Sequence, residues 1–315
     1  MRARRGGWLA MLARIARMAL LALVAPLVAA PAWGKGWDPP GYTLRMNAFG
    51  TSDAFPGSVN SGPDRGLVPA GEVSSGIRLS RALKLGLSAS AGGNVQSEFT
   101  RANYAWVGLG TLLRHDKTTL TLEGEWTPRR NKFPTDPEEG GEFAGRSLTA
   151  SLRRNLGVRA RLRVDGTLDR EKFVPLFTDR DSDGRELFAS ITVTPARGID
   201  LRADGSISRD DARAAKWDKT QRWAGLGVVW SDSSWRTDLS TRSGVRRYTG
   251  AILGQSNFLR RDQWIELRLR VSRTLRPGLS TSLGATLADQ TSSRADRGFD
   301  AHTFTLGFEW TGGGK

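Results

Sequence analysis

Cysteine is absent from all 315 residues. That excludes a disulfide framework, a thiolate nucleophile, thiolate metal ligation and a lipidated cysteine behind a leader. Histidine is almost absent too, with only His115 and His302 to serve as a general base. The third absence is a long apolar run. The longest apolar stretch, Met18 to Ala30, has about 13 residues and contains Pro26, where a membrane-spanning helix needs about 20.

That stretch reads as the centre of a leader. Arg2, Arg4, Arg5, Arg14 and Arg17 precede it and Ala30-Pro31-Ala32 follows, a small-x-small cleavage site. Residues 1–34 are therefore expected to be a secretory signal peptide, with 35–315 as one mature domain; a membrane-anchor helix is the rival, and it is too short. The chain carries 47 Lys and Arg against 32 Asp and Glu, and discounting the five leader arginines leaves 42 against 32, or +10. In the cytosol such a balance would point to nucleic acid. A secreted chain meets lipopolysaccharide phosphates, acidic polysaccharides and anionic solutes instead, so no nucleic-acid partner is expected.

What the chain has in abundance is alternation. Val158, Ala160, Leu162, Val164, Gly166 and Leu168 interleave with Arg159, Arg161, Arg163, Asp165, Thr167 and Asp169. A period of two means a strand with one apolar and one charged face, and at about 3.3 Å per residue this one reaches about 40 Å, enough for a tilted bilayer crossing. Fourteen such segments are predicted, near 42–49, 72–80, 83–91, 103–113, 118–127, 144–153, 158–169, 185–194, 199–208, 221–230, 234–242, 263–273, 279–288 and 301–310.

Short and long connections alternate between them. Arg81-Ala82, Arg154 to Gly157 and Pro195 to Gly198 are tight, whereas 50–71, 128–143, 170–184 and 243–262 are long and rich in Gly, Asp, Pro, Ser and Arg. A propeller would fit four strands into each period of about 40 residues, and a sandwich would show no asymmetry of loop length. The expected fold is all-β: a single antiparallel up-and-down transmembrane β-barrel of about 14 strands, with short periplasmic turns and long extracellular loops.

Strand parity assigns the faces. Leu83, Leu85, Leu87, Leu120, Leu122, Leu148, Leu187, Ile191, Leu201, Ile207, Ile265, Leu267, Leu269, Phe304, Leu306 and Phe308 are expected to face lipid, with no charge among them. Trp126, Trp223, Trp230, Trp235, Trp264 and Trp310 are expected in interfacial girdles. Two strands, 103–113 and 221–230, are apolar on both parities and resist assignment, so Trp106 and Trp230 stay open. The opposite parity places Arg159, Arg161, Arg163, Arg202, Arg236, Arg268, Arg270 and Glu266 among the interior residues. An interior so polar must be wet or ion-paired.

These features resemble the porin-like family of Gram-negative outer-membrane β-barrels, over residues 42–310 and by architecture more than by motif. His302 to Trp310 is similar to that family's C-terminal insertion signal, although Thr311 to Lys315 follow the aromatic that usually closes the chain. The resemblance implies the bacterial outer membrane as location, outer-membrane lipid, lipopolysaccharide and the barrel-assembly machinery as partners, and a channel for small anionic solutes or acidic oligosaccharides. The alternative is a non-conducting barrel acting as scaffold or export partner for a surface polysaccharide or protein.

Other chemistry is thin. His115 falls in a short turn and His302 at the rim of the last strand, so no nucleophile and base converge and no enzyme is expected. Asp179, Asp181 and Asp183, ahead of Gly184, reproduce the opening of a calcium loop, but Ser190 stands where a bidentate Glu closes such loops. Calcium is at most an extracellular-loop ligand, and no other cofactor is expected. The basic pairs Arg129-Arg130, Arg246-Arg247 and Arg260-Arg261 are read as contacts to lipopolysaccharide phosphates.

Overall fold

The computed structural model describes residues 37–52, 63–97, 103–132, 141–250, 259–293 and 297–313. The expected leader at 1–34 lies outside them. The first seven strands are β1 (Gly41–Thr51), β2 (Asp64–Arg78), β3 (Leu83–Gln96), β4 (Tyr104–His115), β5 (Thr118–Lys132), β6 (Gly141–Asn155) and β7 (Ala160–Phe173). The others are β8 (Ser182–Ala196), β9 (Ile199–Ala212), β10 (Lys219–Ser231), β11 (Trp235–Tyr248), β12 (Arg261–Arg276), β13 (Leu279–Ser292) and β14 (Phe299–Gly313). Each pairs antiparallel with its sequence neighbours, and β1 closes on β14 through Gly41 opposite Gly313 to Thr51 opposite Thr303. Closure leaves no unpaired edge, as a sheet in hydrocarbon requires.

All fourteen expected strands are present, and most are longer at the long-loop end. Two of these extensions hold prolines that look like breakers in the sequence. β2 begins eight residues before its expected start and carries Pro69, which lacks an N–H; its pairing with β3 skips from Leu67 to Ala70 without a change of register. In β5 the Pro128-Arg129-Arg130 segment, expected to be loop, continues the strand through a bulge between Thr127 and Arg130. The bulge turns Arg130 inward, over the Tyr104 ring at 4.6 Å. One correction runs the other way: β7 starts at Ala160, so Val158 is fully exposed and Arg159 belongs to the preceding short turn.

The short turns are set by residues that reach the left-handed region. Gly198 and Gly278 both take φ of 80°, and a Cβ there would run into the carbonyl oxygens of Ser231 and Thr311. Only glycine fits without moving the neighbouring strand.

From β4 round to β14 the apolar parity points outward. Leu109 is 73% exposed, Ile207 67%, Leu226 64% and Phe304 64%. So much apolar surface facing out is the wall of a barrel immersed in lipid. On β2 and β3 the same parity is buried at Val73, Ala91 and Val95.

The two unassigned strands now resolve. In β10 Leu226 and Trp230 face out and Trp223 faces in; in β4 Leu109 and Leu113 face out, while Trp106 lies over Gly92 inside. Trp126, Trp230, Trp235 and Trp310 stand on the outer wall as expected. Trp223 and Trp264 do not, because each shares parity with the lumen residues of its strand.

Candidate functional site in the lumen

Antiparallel register puts directly opposed residues on one face, so the lumen can be read row by row around the wall. One row runs Arg161, Thr192, Arg202, Gly227, Ser240, Arg268 and Thr286 across β7 to β13. It holds three arginines and no acid.

Carboxylates stand in the rows on either side. Arg161 binds Asp200 at 2.8 Å, Arg268 binds Glu266 at 2.6 Å, and Arg202 lies 3.3 Å from Asp204 and 3.9 Å from Asp238. Asp204 is shared with Arg242, also at 3.3 Å, and its side chain is only 3% exposed. Two guanidinium groups supply the opposite charge that a carboxylate so buried requires. Arg163 binds Asp165 at 2.6 Å, Arg270 donates to Ser282 Oγ at 3.2 Å, and Arg236 is exposed nearer the short turns. Of the lumen residues picked out by parity, only Arg159 falls outside the strands.

The arginine side chains remain open to solvent, Arg161 by 58%, Arg268 by 48% and Arg163 by 44%. The interior is therefore hydrated and ion-paired. It is not a packed core.

Asp179, Asp181 and Asp183 do not converge. Asp179 lies in the short 3-10 turn Pro175–Arg180, where it accepts from Trp217 Nε1 at 3.1 Å and pairs with Lys216 at 3.2 Å. Burial pushes its carboxyl up, but the Trp217 and Lys216 bonds outweigh this and hold it below the usual aspartate range. Asp181 accepts from the Phe173 backbone N–H at 2.8 Å, and Asp183 pairs with Arg170 at 3.3 Å on the outer wall. Among the described residues no cluster of three or more His, Cys, Asp or Glu could hold a metal ion. The D-x-D-x-D-G segment is not one continuous loop: Asp179 lies in a 3-10 turn, Asp181 links that turn to β8, and Asp183 is already in the strand.

Sequence reasoning missed the lumen aromatics. Phe188, Ser206, Trp223, Gly244, Trp264 and Gln290 share one row on the inner face of β8 to β13. For Trp264 the signal was present, since it has the parity of Arg268 and Arg270.

No family model matches the sequence, and no curated protein matches it. Solved structures do. In-vitro folded OmpT of Vibrio cholerae, in its trimer form, superposes with a TM-score of 0.52 at 9% identity over 88% of this chain and 100% of that one. OmpT expressed in the outer membrane gives 0.51 at 10% identity, covering 89% of this chain and 99% of that one. The outer-membrane channel DcaP of Acinetobacter baumannii gives 0.50 at 10% identity, with coverage of 89% and 99%. At such identities the likeness is one of fold: this chain forms a closed antiparallel barrel similar to those of these bacterial outer-membrane proteins.

Proposed function

We propose that the barrel is a porin-like channel of the Gram-negative outer membrane that passes small solutes and favours anions or acidic oligosaccharides. The observation that carries this reading is the acid-free row of Arg161, Arg202 and Arg268, in which Arg161 and Arg268 are open to solvent and Arg202 is partly buried between Asp204 and Asp238. A guanidinium has more N–H donors than one carboxylate can accept, so each can hold its partner and still offer a fork to a passing anion. The interior is wet and the strand count lies between filled barrels of about eight strands and open porins of roughly sixteen, which suits a narrow pore.

Passage needs no covalent step. His115 stands at the short-turn end of β4 and His302 near the long-loop end of β14, so neither could share a site with the other. Outside, seven neighbouring strands each present one arginine towards the long-loop end: Arg146, Arg170, Arg185, Arg209, Arg222, Arg247 and Arg261. The outward tryptophans of β10, β11 and β14 sit at the opposite end. This asymmetry suits a bilayer with phosphorylated lipopolysaccharide on the loop side and phospholipid on the other. Arg246 and Arg260, by contrast, turn inward to Asp262, leaving only Arg247 and Arg261 of those pairs for lipid.

Planar-bilayer recording in a salt gradient tests the channel. Wild-type protein should conduct with a reversal potential biased towards the anion, and R161E/R268E should move it towards the cation. Absence of current from pure refolded protein would favour the scaffold reading; current with unchanged selectivity would remove the arginine row from the mechanism.

A further inference from the structure

The aromatic row has a regular construction. Large rings stand on every second strand, Phe188 on β8, Trp223 on β10 and Trp264 on β12, and the strands between present Ser206 and Gly244. A Cβ at Gly244 would meet the Trp223 Cβ on one side and the Trp264 ring on the other, each at 2.7 Å, so the Trp264 indole lies over the backbone that only a glycine leaves open. Phe188 and Trp223 have ring centroids 5.9 Å apart at 41°, Arg163 lies 5.6 Å from the Phe188 centroid, and Arg242 lies 4.4 Å from the Trp223 centroid. The result is a row of three aromatic residues, a ribbon along this part of the wall, where the other inward side chains of β8 to β12 are mostly Ser, Thr, Gly and charged.

At about 4.8 Å per strand the ribbon extends about 19 Å from Phe188 to Trp264. Strands of such barrels tilt by about 35–45°, so a row perpendicular to them climbs the wall as a spiral. Its flanks are mixed in sign. Arg163, Asp204, Arg242 and Glu266 lie in the next row towards the short turns, and Glu186, Gln221, Arg246 and Asp262 in the row towards the loops. Flat apolar faces beside alternating donors and acceptors match a ligand whose rings have C–H faces and hydroxyl edges. A simple anion would need neither the rings nor the carboxylates.

We propose that this ribbon is a binding track for an oligosaccharide, whose pyranose faces stack on Phe188, Trp223 and Trp264 while its hydroxyls bond the charged rows on either side. Recognition is of ring faces along an extended ligand, so a chain of several sugars binds and a single sugar binds weakly. The sign of the sugar's charge matters little at the ribbon and is read by the arginine row below it. The inference rests on the channel reading only for the route by which sugar arrives.

The test has two arms. Tryptophan fluorescence of refolded protein in detergent, titrated with maltohexaose, cellohexaose and hexagalacturonate, reads binding without requiring current. At least one hexamer should quench saturably, glucose and benzoate should bind at least tenfold more weakly, and the tightest hexamer should block single-channel current in a bilayer. The variants W223A and W264A, checked for folding by heat-modifiable migration, should each weaken binding about tenfold, the scale of one aromatic contact, with F188A reporting from the far end of the ribbon. Absence of binding by every hexamer, equal affinity for benzoate and hexamer, or affinity unchanged in folded W223A and W264A would overturn the track while leaving the channel intact. Loss of conductance with hexamer binding retained would overturn the channel and leave the track.

Discussion

A single charge on the outer wall tests the assignment of faces on which the other readings depend. In β12 the outward run is Ile265, Leu267, Leu269 and Val271, bounded by Gln263 on one side and Arg273 on the other. Leu267 lies near the middle of that run, opposite Thr241 and Leu287, and is 44% exposed. Replacing it by Arg puts a guanidinium near the bilayer midplane, at a cost of about 2–4 kcal/mol. The neighbouring lumen position gives the control. Thr286 lies opposite Arg268 on the inner wall, so T286R adds a charge in water, and like-charge repulsion across the strands costs at most about 1 kcal/mol. Urea unfolding from lipid vesicles, with linear extrapolation at unchanged slope, measures both. A larger loss for T286R than for L267R, or equal losses, would refute the outward placement of Leu267.

The turn glycines and the first ion pair give two more outcomes. Gly278 holds φ of 80° with the Thr311 carbonyl against it, so G278A should cost about 1–3 kcal/mol; a midpoint equal to wild type in the same unfolding assay would contradict the strain. Ahead of β1, Asp38 accepts from Lys84 Nζ at 2.6 Å, and that hydrogen bond, with the charge of Lys84, holds its carboxyl below the usual range. A lowered folded value means the anion is favoured by folding, so the stabilisation is present at neutral pH and disappears as pH falls through that value. D38N should therefore unfold more easily than wild type at pH 7, with the gap closing under acid conditions; a gap independent of pH would show that Asp38 acts otherwise.

Strand number and facing were legible where the outward residues were aliphatic and the inward ones charged, as in β7, β9 and β12. They were illegible where both parities were apolar, as in β4 and β10, because the period-two signal then carries no contrast. Trp223 and Trp264 show the same limit from another side: an aromatic near a strand end suits a lipid interface and a lumen wall equally, and only its parity within the sheet decides. Strand ends also went unread. Pro69 and Pro128 look like breakers in isolation, yet β2 tolerates a missing N–H and β5 absorbs its proline in a bulge because both strands are held on two sides.

The order of residues alone determined a cysteine-free chain of fourteen alternating strands with turns short at one end and long at the other, since a pleat sends neighbours to opposite faces whatever surrounds them. Which side chains meet was decided only by closure. The shear between strands brings Arg161, Arg202 and Arg268 into one row and Phe188, Trp223 and Trp264 into another, and it distributes Asp179, Asp181 and Asp183 among separate partners. Residues distant in sequence become lateral neighbours through hydrogen-bond register, which the local pattern of a strand does not contain.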